Sequence, residues 1–253
     1  MRIGMQLYTL RDYCKTTEDF AETLKKVADI GYKFVQVSGT CAYEAEWLKE
    51  QLDKNGLACP LTHYDQEKMI NTPEATVSFH NVFGCKHIGL GGVHGFFGDL
   101  TAFDPFLPRF KQAAKEIHDL GSMVMYHNHH MEFNRLPDGR NYLELLADTI
   151  PADQLGFTLD TYWVQMGGGN PTEWLSRLSG RVPCIHLKDL RMHGTEQRMA
   201  SVGSGNLNFD SIIAAAEKAG TEYAFVEQDE TYGVDPFEEA ASSFKYLSAM
   251  GLN

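Results

Sequence analysis

The chain has 253 residues, 43% of them hydrophobic and 22% charged, which supplies a large core and excludes an intrinsically disordered protein. Acidic residues outnumber Lys and Arg by 34 to 22, for a net charge of −12 and a pI near 5.2. A nucleic-acid backbone repels such a chain, and the longest basic cluster is only Lys25-Lys26, so no nucleic-acid partner is expected.

Short apolar runs alternate with helical patterns from one end to the other. Ile3–Tyr8 reads as the first strand. A helix follows from Thr17, with Phe20, Leu24 and Val27 at helical spacing and Gly31 as its stop. Phe34–Val37 is the second strand, and Ala45, Leu48 and Leu52 form a helical pattern before Asn55-Gly56. Cys59–His63 is the third strand, and a helix near 73–84 leads to the fourth, His87–Leu90. Phe106, Phe110, Ala113 and Ile117 repeat the helical spacing up to Gly121. Met123–His127 and Gly156–Asp160 are strands five and six, with a helix near 141–149 between them. A helix near 171–178 precedes Cys184–Leu187, the seventh strand. Phe209, Ile212, Ile213 and Ala216 lead to Gly220, Tyr223–Glu227 is the eighth strand, and Phe237, Ala241, Phe244 and Leu247 close the pattern before Gly251.

Most of these strands are apolar on consecutive residues, as parallel strands buried on both faces are. Eight βα units in about 250 residues, with no low-complexity linker, predict one domain over residues 1–253, a (β/α)8 TIM barrel. An open doubly wound sheet is the rival, but it usually carries a Gly-rich turn after its first strand, where Tyr8-Thr9-Leu10-Arg11 stands here. The five cysteines are odd in number and form no Cys-x-x-Cys pair, so they read as small buried hydrophobes in a reducing compartment. Met1–Gln6 has no signal-peptide pattern, and no apolar run approaches the 18 or so residues of a membrane helix. No membrane partner and a cytoplasmic location are expected.

Reacting groups of such barrels sit at the C-terminal ends of the strands. Strand three ends in His63, strand five in His127 with His129 beyond, and strand six in Asp160. Strand seven carries His186 with Lys188 and Asp189 just past it, and strand eight ends in Glu227. His127, Asp160, His186 and Glu227 come from neighbouring strands, and one divalent cation compensates their charge most simply. Mn, Co, Fe, Zn and Mg all suit two nitrogen and two oxygen ligands. The alternative is an ion-pair network without metal. Gly167-Gly168-Gly169 reads as a flexible loop, without the Gly-Lys-Ser/Thr of a phosphate-cradling P-loop.

Gln6-Leu7-Tyr8-Thr9-Leu10-Arg11, Tyr126-His127-Asn128-His129, Leu159-Asp160-Thr161-Tyr162-Trp163, His186-Leu187-Lys188-Asp189, Val202-Gly203-Ser204-Gly205 and Val226-Glu227-Gln228-Asp229 resemble, in order, the sugar phosphate isomerase/epimerase family with the xylose isomerase-like barrel. That resemblance implies a metal-dependent enzyme acting on a small carbohydrate, with Glu, Asp, His and Glu as ligands. Asp160, His186 and Glu227 match the last three; His127 stands where many members carry Glu, and Glu132 is a candidate substitute. The Tyr-His-x-His and His-Leu-Lys-Asp segments look like inosose dehydratase relatives, which eliminate water from a keto-cyclitol.

The expected chemistry is therefore enolisation of a ketose or keto-sugar, read out as isomerisation or epimerisation, with dehydration as the alternative. An abasic-site endonuclease and a non-catalytic sugar-binding barrel are the remaining rivals. Glu227 is expected as ligand and base, and Lys188 as acid or base if burial and the cation lower its pKa, against a plain salt bridge beside Asp189. His129 is expected as a proton carrier or as a residue orienting His127. His63, Tyr8, Arg11 and Trp163 are candidate substrate contacts, with core packing or a surface loop as the alternative reading of each. Phe133 is expected beside the site. A homodimer is in keeping with barrels of this kind, but no face is marked for it.

Overall fold

Eight parallel strands close into a ring in a computed structural model that describes residues 1–253. They are β1 (Arg2–Gln6), β2 (Phe34–Val37), β3 (Ala58–His63), β4 (His87–Leu90), β5 (Met123–His127), β6 (Leu155–Asp160), β7 (Cys184–Leu187) and, after a hairpin of β8 (Asp189–His193) and β9 (Glu196–Ala200), β10 (Tyr223–Val226). β1 pairs with both β2 and β10, which closes the barrel and leaves no free sheet edge. Ten helices surround it: α1 (Thr17–Ile30), α2 (Ala45–Asn55), α3 (Gln66–Asn71), α4 (Pro73–Val82), α5 (Phe103–Asp119), α6 (Tyr142–Thr149), α7 (Thr161–Met166), α8 (Pro171–Arg177), α9 (Phe209–Lys218) and α10 (Pro236–Ala249). No helix is long and apolar enough to cross a membrane. The five cysteines stand unbridged.

Local signals explain the boundaries. The Thr16 side chain accepts the Asp19 amide and starts α1, and Gly31, at φ +125°, stops it. Asn141 and Glu144 form a reciprocal capping box on α6. The first strand ends two residues earlier than expected, because the Gln6 side chain accepts the Tyr8 amide and turns Leu7–Tyr13 into a 3-10 helix. The eighth barrel strand ends at Val226, with Glu227 just past it. α3 and α7 were not expected; Asp65 caps the first and Asp160 the second. Gly167 and Gly169 are no open loop, since a Cβ at either would run into the Phe133 ring.

Side chains alternate along a strand, so every second residue faces the barrel axis. Leu61, Met125, Cys184 and Phe225 form a buried apolar layer. Two residues further along the same four segments stand His63, His127, His186 and Glu227. The apolar layer is thus the floor beneath them.

The β8–β9 hairpin is an insertion that the strand count missed, although its two-residue turn carries Gly194 at φ +61°. Asp189, at its base, is fully buried and accepts the amides of Leu190 (2.7 Å), Gly203 (3.0 Å), Gly205 (2.8 Å) and Leu207 (3.2 Å). The Val202–Gly205 segment is therefore folded around this carboxylate, and a Cβ at Gly205 would collide with it. Asp189→Ala strands four amides at about 1–3 kcal/mol each before relaxation, so a net loss of about 3–5 kcal/mol is expected in urea unfolding. A loss below about 1 kcal/mol contradicts this role.

Candidate metal centre

Alternation along β5, β6, β7 and β10 brings His127, Asp160, His186 and Glu227 to one point at the C-terminal mouth. One nitrogen or oxygen of each lies within 4.8 Å of the other three, and all four residues are buried. His127 Nε2 is 3.3 Å from Asp160 Oδ2 and 4.0 Å from Glu227 Oε2. His186 Nδ1 is 3.8 Å from Asp160 Oδ2 and 2.8 Å from Glu227 Oε2. Ligand atoms around a tetrahedral ion stand roughly 3.4 Å apart, close to the middle of this range.

The remaining polar atoms are held outward. His127 Nδ1 lies 3.2 Å from the Gly91 carbonyl, which can only accept, so Nδ1 carries a proton; Nε2 faces Asp160 Oδ2 at 3.3 Å, where a cation would take its lone pair. His186 Nε2 donates to Gln36 Oε1 at 2.6 Å, which turns Nδ1 toward the two carboxylates. That nitrogen is buried and has no hydrogen-bond partner, since its close contact with Glu227 is not aligned as one. Asp160 Oδ1 accepts the Trp163 amide at 2.9 Å and leaves Oδ2 to the ring. Two imidazole lone pairs and two carboxylate oxygens that converge on one buried point fit a divalent cation.

The electrostatics point the same way. Burial pulls the His186 imidazole down, yet the Glu227 and Asp160 carboxylates outweigh it and hold it up at about 9, so Nδ1 carries a proton whose place a cation would take. Burial pushes Asp160 and Glu227 up, and Lys188 with the imidazoles more than reverses this, so both stay ionised. The point attracts positive charge.

Lys188 follows His186 by one alternation. Its Nζ is 2.8 Å from Asp229 Oδ2, 3.2 Å from Glu227 Oε2 and 3.4 Å from Asp160 Oδ2. Asp189, its neighbour in sequence, is not its partner. Burial lowers the Lys188 pKa, but the three carboxylates outweigh it and push it up, so burial alone does not give the lowering expected from burial together with a cation. Lys188 therefore stands as an ammonium ion, 5.2 Å from the centre of the Trp163 ring.

A cavity of about 750 Å³ opens above the ring, and Tyr8, His63, His129, Trp163 and Lys188 line it. His63 Nε2, His129 Nδ1 and Trp163 Nε1 are buried without partners. Burial and the neighbouring imidazoles keep His63 and His129 neutral. The Gly91 carbonyl accepts from His127 Nδ1, and the His129 ring meets the His127 ring edge-on at 4.7 Å. Arg11 does not line the cavity; it donates to the Tyr8 and Asp229 carbonyls and to Glu230. Phe133 packs on Trp174 instead of the site. Glu132 is held by the Tyr126 hydroxyl and the His129 amide, both at 2.8 Å, so His127 completes the ring in its stead.

Gln36, Asp229 and Phe97 escaped the sequence reading. The first was legible, since Gln36 lies one alternation past Phe34 on β2. Asp229 stands one alternation past Glu227, as Lys188 does past His186. Nothing in the Gly-rich segment after β4 marks Phe97 as part of the cavity wall. Because Gln36 sets the His186 tautomer, Gln36→Leu should weaken metal binding about 10–100-fold in competition with a chromophoric chelator. An affinity within threefold of the parent contradicts this role.

A family model described as a xylose isomerase-like TIM barrel matches residues 24–250. Inosose dehydratase of Lacticaseibacillus casei is 26% identical over 160 residues, 56% of this chain and 52% of that protein. The chain thus spans about half the length of the curated relatives it matches. A crystal structure of a sugar phosphate isomerase/epimerase from Parabacteroides distasonis ATCC 8503 superposes with a TM-score of 0.81 at 23% identity, covering 98% of this chain and 93% of that one. A probable 3-DHS dehydratase involved in petrobactin synthesis, from Bacillus anthracis, gives 0.73 at 15% identity over 98% and 99%. With the closed eight-stranded ring and a family match over most of its length, the chain belongs to the xylose isomerase-like TIM barrel family.

Proposed function

We propose that the chain is a divalent-metal-dependent enzyme that enolises a ketose or keto-sugar and returns it as an isomer or epimer. The observation that carries this reading is the ring of four inward lone pairs with an ammonium ion beside it, at the floor of an open cavity. A bound divalent cation supplies Lewis acidity, which polarises the carbonyl and acidifies the adjoining C–H bond.

Glu227, ionised at the cavity floor, takes the proton from the carbon next to the carbonyl. Lys188, held as an ammonium ion by three carboxylates, donates a hydrogen bond to the oxygen on which negative charge develops. It then supplies the proton that completes the product, and Glu227 Oε2, 3.2 Å away, passes the abstracted proton back to it, which restores both groups. His63 and His129 are neutral and each keeps one buried nitrogen without a partner, so they bind substrate hydroxyls. Trp163 and Tyr8 cover the C–H face of the ring.

Dehydration is the second reading, and one observation favours it. Symmetrical proton transfer at two faces of a carbon calls for a base on each side, whereas the ring carries His127 where the resemblance calls for a second Glu. A single-sided base beside an ammonium acid suits loss of water from the β-position, the reaction for which inosose dehydratase is named.

Incubation of the metal-loaded protein with ketoses and keto-cyclitols in heavy water, read by NMR and mass spectrometry, tests both. Deuterium next to the carbonyl in a product of unchanged formula is the expected result, and loss of water establishes the second reading. No exchange with any substrate contradicts enolisation. Lys188→Met should lower kcat about 10²–10⁴-fold while the metal is retained. Activity within tenfold of the parent removes Lys188 from the reaction.

A further inference from the structure

We infer that the cavity selects an uncharged sugar, a ketose or keto-cyclitol that bears neither phosphate nor carboxylate. The inference rests on the function proposed above and names its substrate class. It follows from where the positive charge at the mouth of the barrel is used.

Asp160, Glu227 and Asp229 place three carboxylates at the floor against one ammonium ion, Lys188. One divalent cation brings that formal charge to zero and leaves no surplus for a phosphate dianion. Lys188 is the single Lys in the cavity wall, which contains no Arg. Its Nζ is surrounded by the same three carboxylates, at 2.8, 3.2 and 3.4 Å. Arg11, three residues past Tyr8 of the cavity wall, is spent on two carbonyls and Glu230 while lying over the Tyr8 ring at 4.6 Å.

Two backbone segments near the mouth that could cradle an anion are closed. The Gly-Ser-Gly turn at Val202–Gly205 has the run of free amides that cradles an anion in other proteins. Here the amides of Gly203 and Gly205 are already bound to the chain's own Asp189 carboxylate. The start of α7 is closed likewise, because Asp160 Oδ1 takes the Trp163 amide. What remains unpartnered in the cavity wall is three ring nitrogens, His63 Nε2, His129 Nδ1 and Trp163 Nε1, and one acceptor, Asp229 Oδ1, a mixture suited to hydroxyl groups, which both donate and accept.

Calorimetry on the metal-loaded protein with matched pairs tests the inference: D-fructose against fructose 6-phosphate, and D-ribulose against ribulose 5-phosphate. The neutral member should bind at least tenfold more tightly in each pair, and Asp229→Asn, which removes one floor carboxylate, should narrow that ratio. Equal or tighter binding of the phosphate esters overturns the inference, as does a ratio unmoved by Asp229→Asn or the failure of every neutral sugar to bind at millimolar concentration. Deuterium exchange read on the same samples separates the two levels. Exchange confined to the phosphate esters overturns charge selection and leaves enolisation standing. Neutral sugars that bind without exchange overturn enolisation and leave charge selection standing.

Discussion

Two carboxylates and two imidazoles, stripped of water at the mouth of a barrel, must be supplied with positive charge. The cost of leaving ionised carboxylates uncompensated in a dry interior is several kcal/mol each, enough on the scale of a protein's net stability to unfold it. Lys188 provides one charge, shared among Asp160, Glu227 and Asp229. Much of the surrounding architecture can be understood as aiming the other lone pairs at a common point. Gln36 and the Gly91 carbonyl choose the tautomers, and the first turn of α7 takes the spare oxygen of Asp160.

The barrel makes this aim economical in sequence. Because alternate residues face the axis, one apolar layer and one polar layer are written two positions apart on the same strands. Leu61, Met125, Cys184 and Phe225 exclude water from below, and the polar layer above them inherits a rigid base. Asp189 extends the same logic outward. By gathering the amides of Gly203, Gly205 and Leu207, it shapes the loop after the hairpin without drawing on the ring. The carboxylate next in sequence to Lys188 is thus structural, while its true partner, Asp229, comes from the segment just past the neighbouring β10.

The barrel and the four strand-end groups were legible in the sequence, because apolar runs of four to six residues and the polar groups that end them are local signals. Boundaries set by side-chain capping were less so. Gln6 shortens the first strand through a bond to a backbone amide two residues on, which hydrophobic spacing does not register. The β8–β9 hairpin was lost for a different reason: a search for buried parallel strands passes over a half-exposed antiparallel pair. Pairings across the barrel were not legible at all. Lys188 with Asp229 and His186 with Gln36 each depend on which segments the closed ring brings together.

The most direct test of the account is the metal content of the purified protein by plasma mass spectrometry, alongside Asp160→Ala and His186→Ala. The account predicts about one Mn, Co, Fe, Zn or Mg ion per chain, lost in both variants while the fold persists. A parent protein that stays empty after metal is added back would contradict it. The ring would then be an ion-pair network held by Lys188, and the proposed chemistry would lose its Lewis acid.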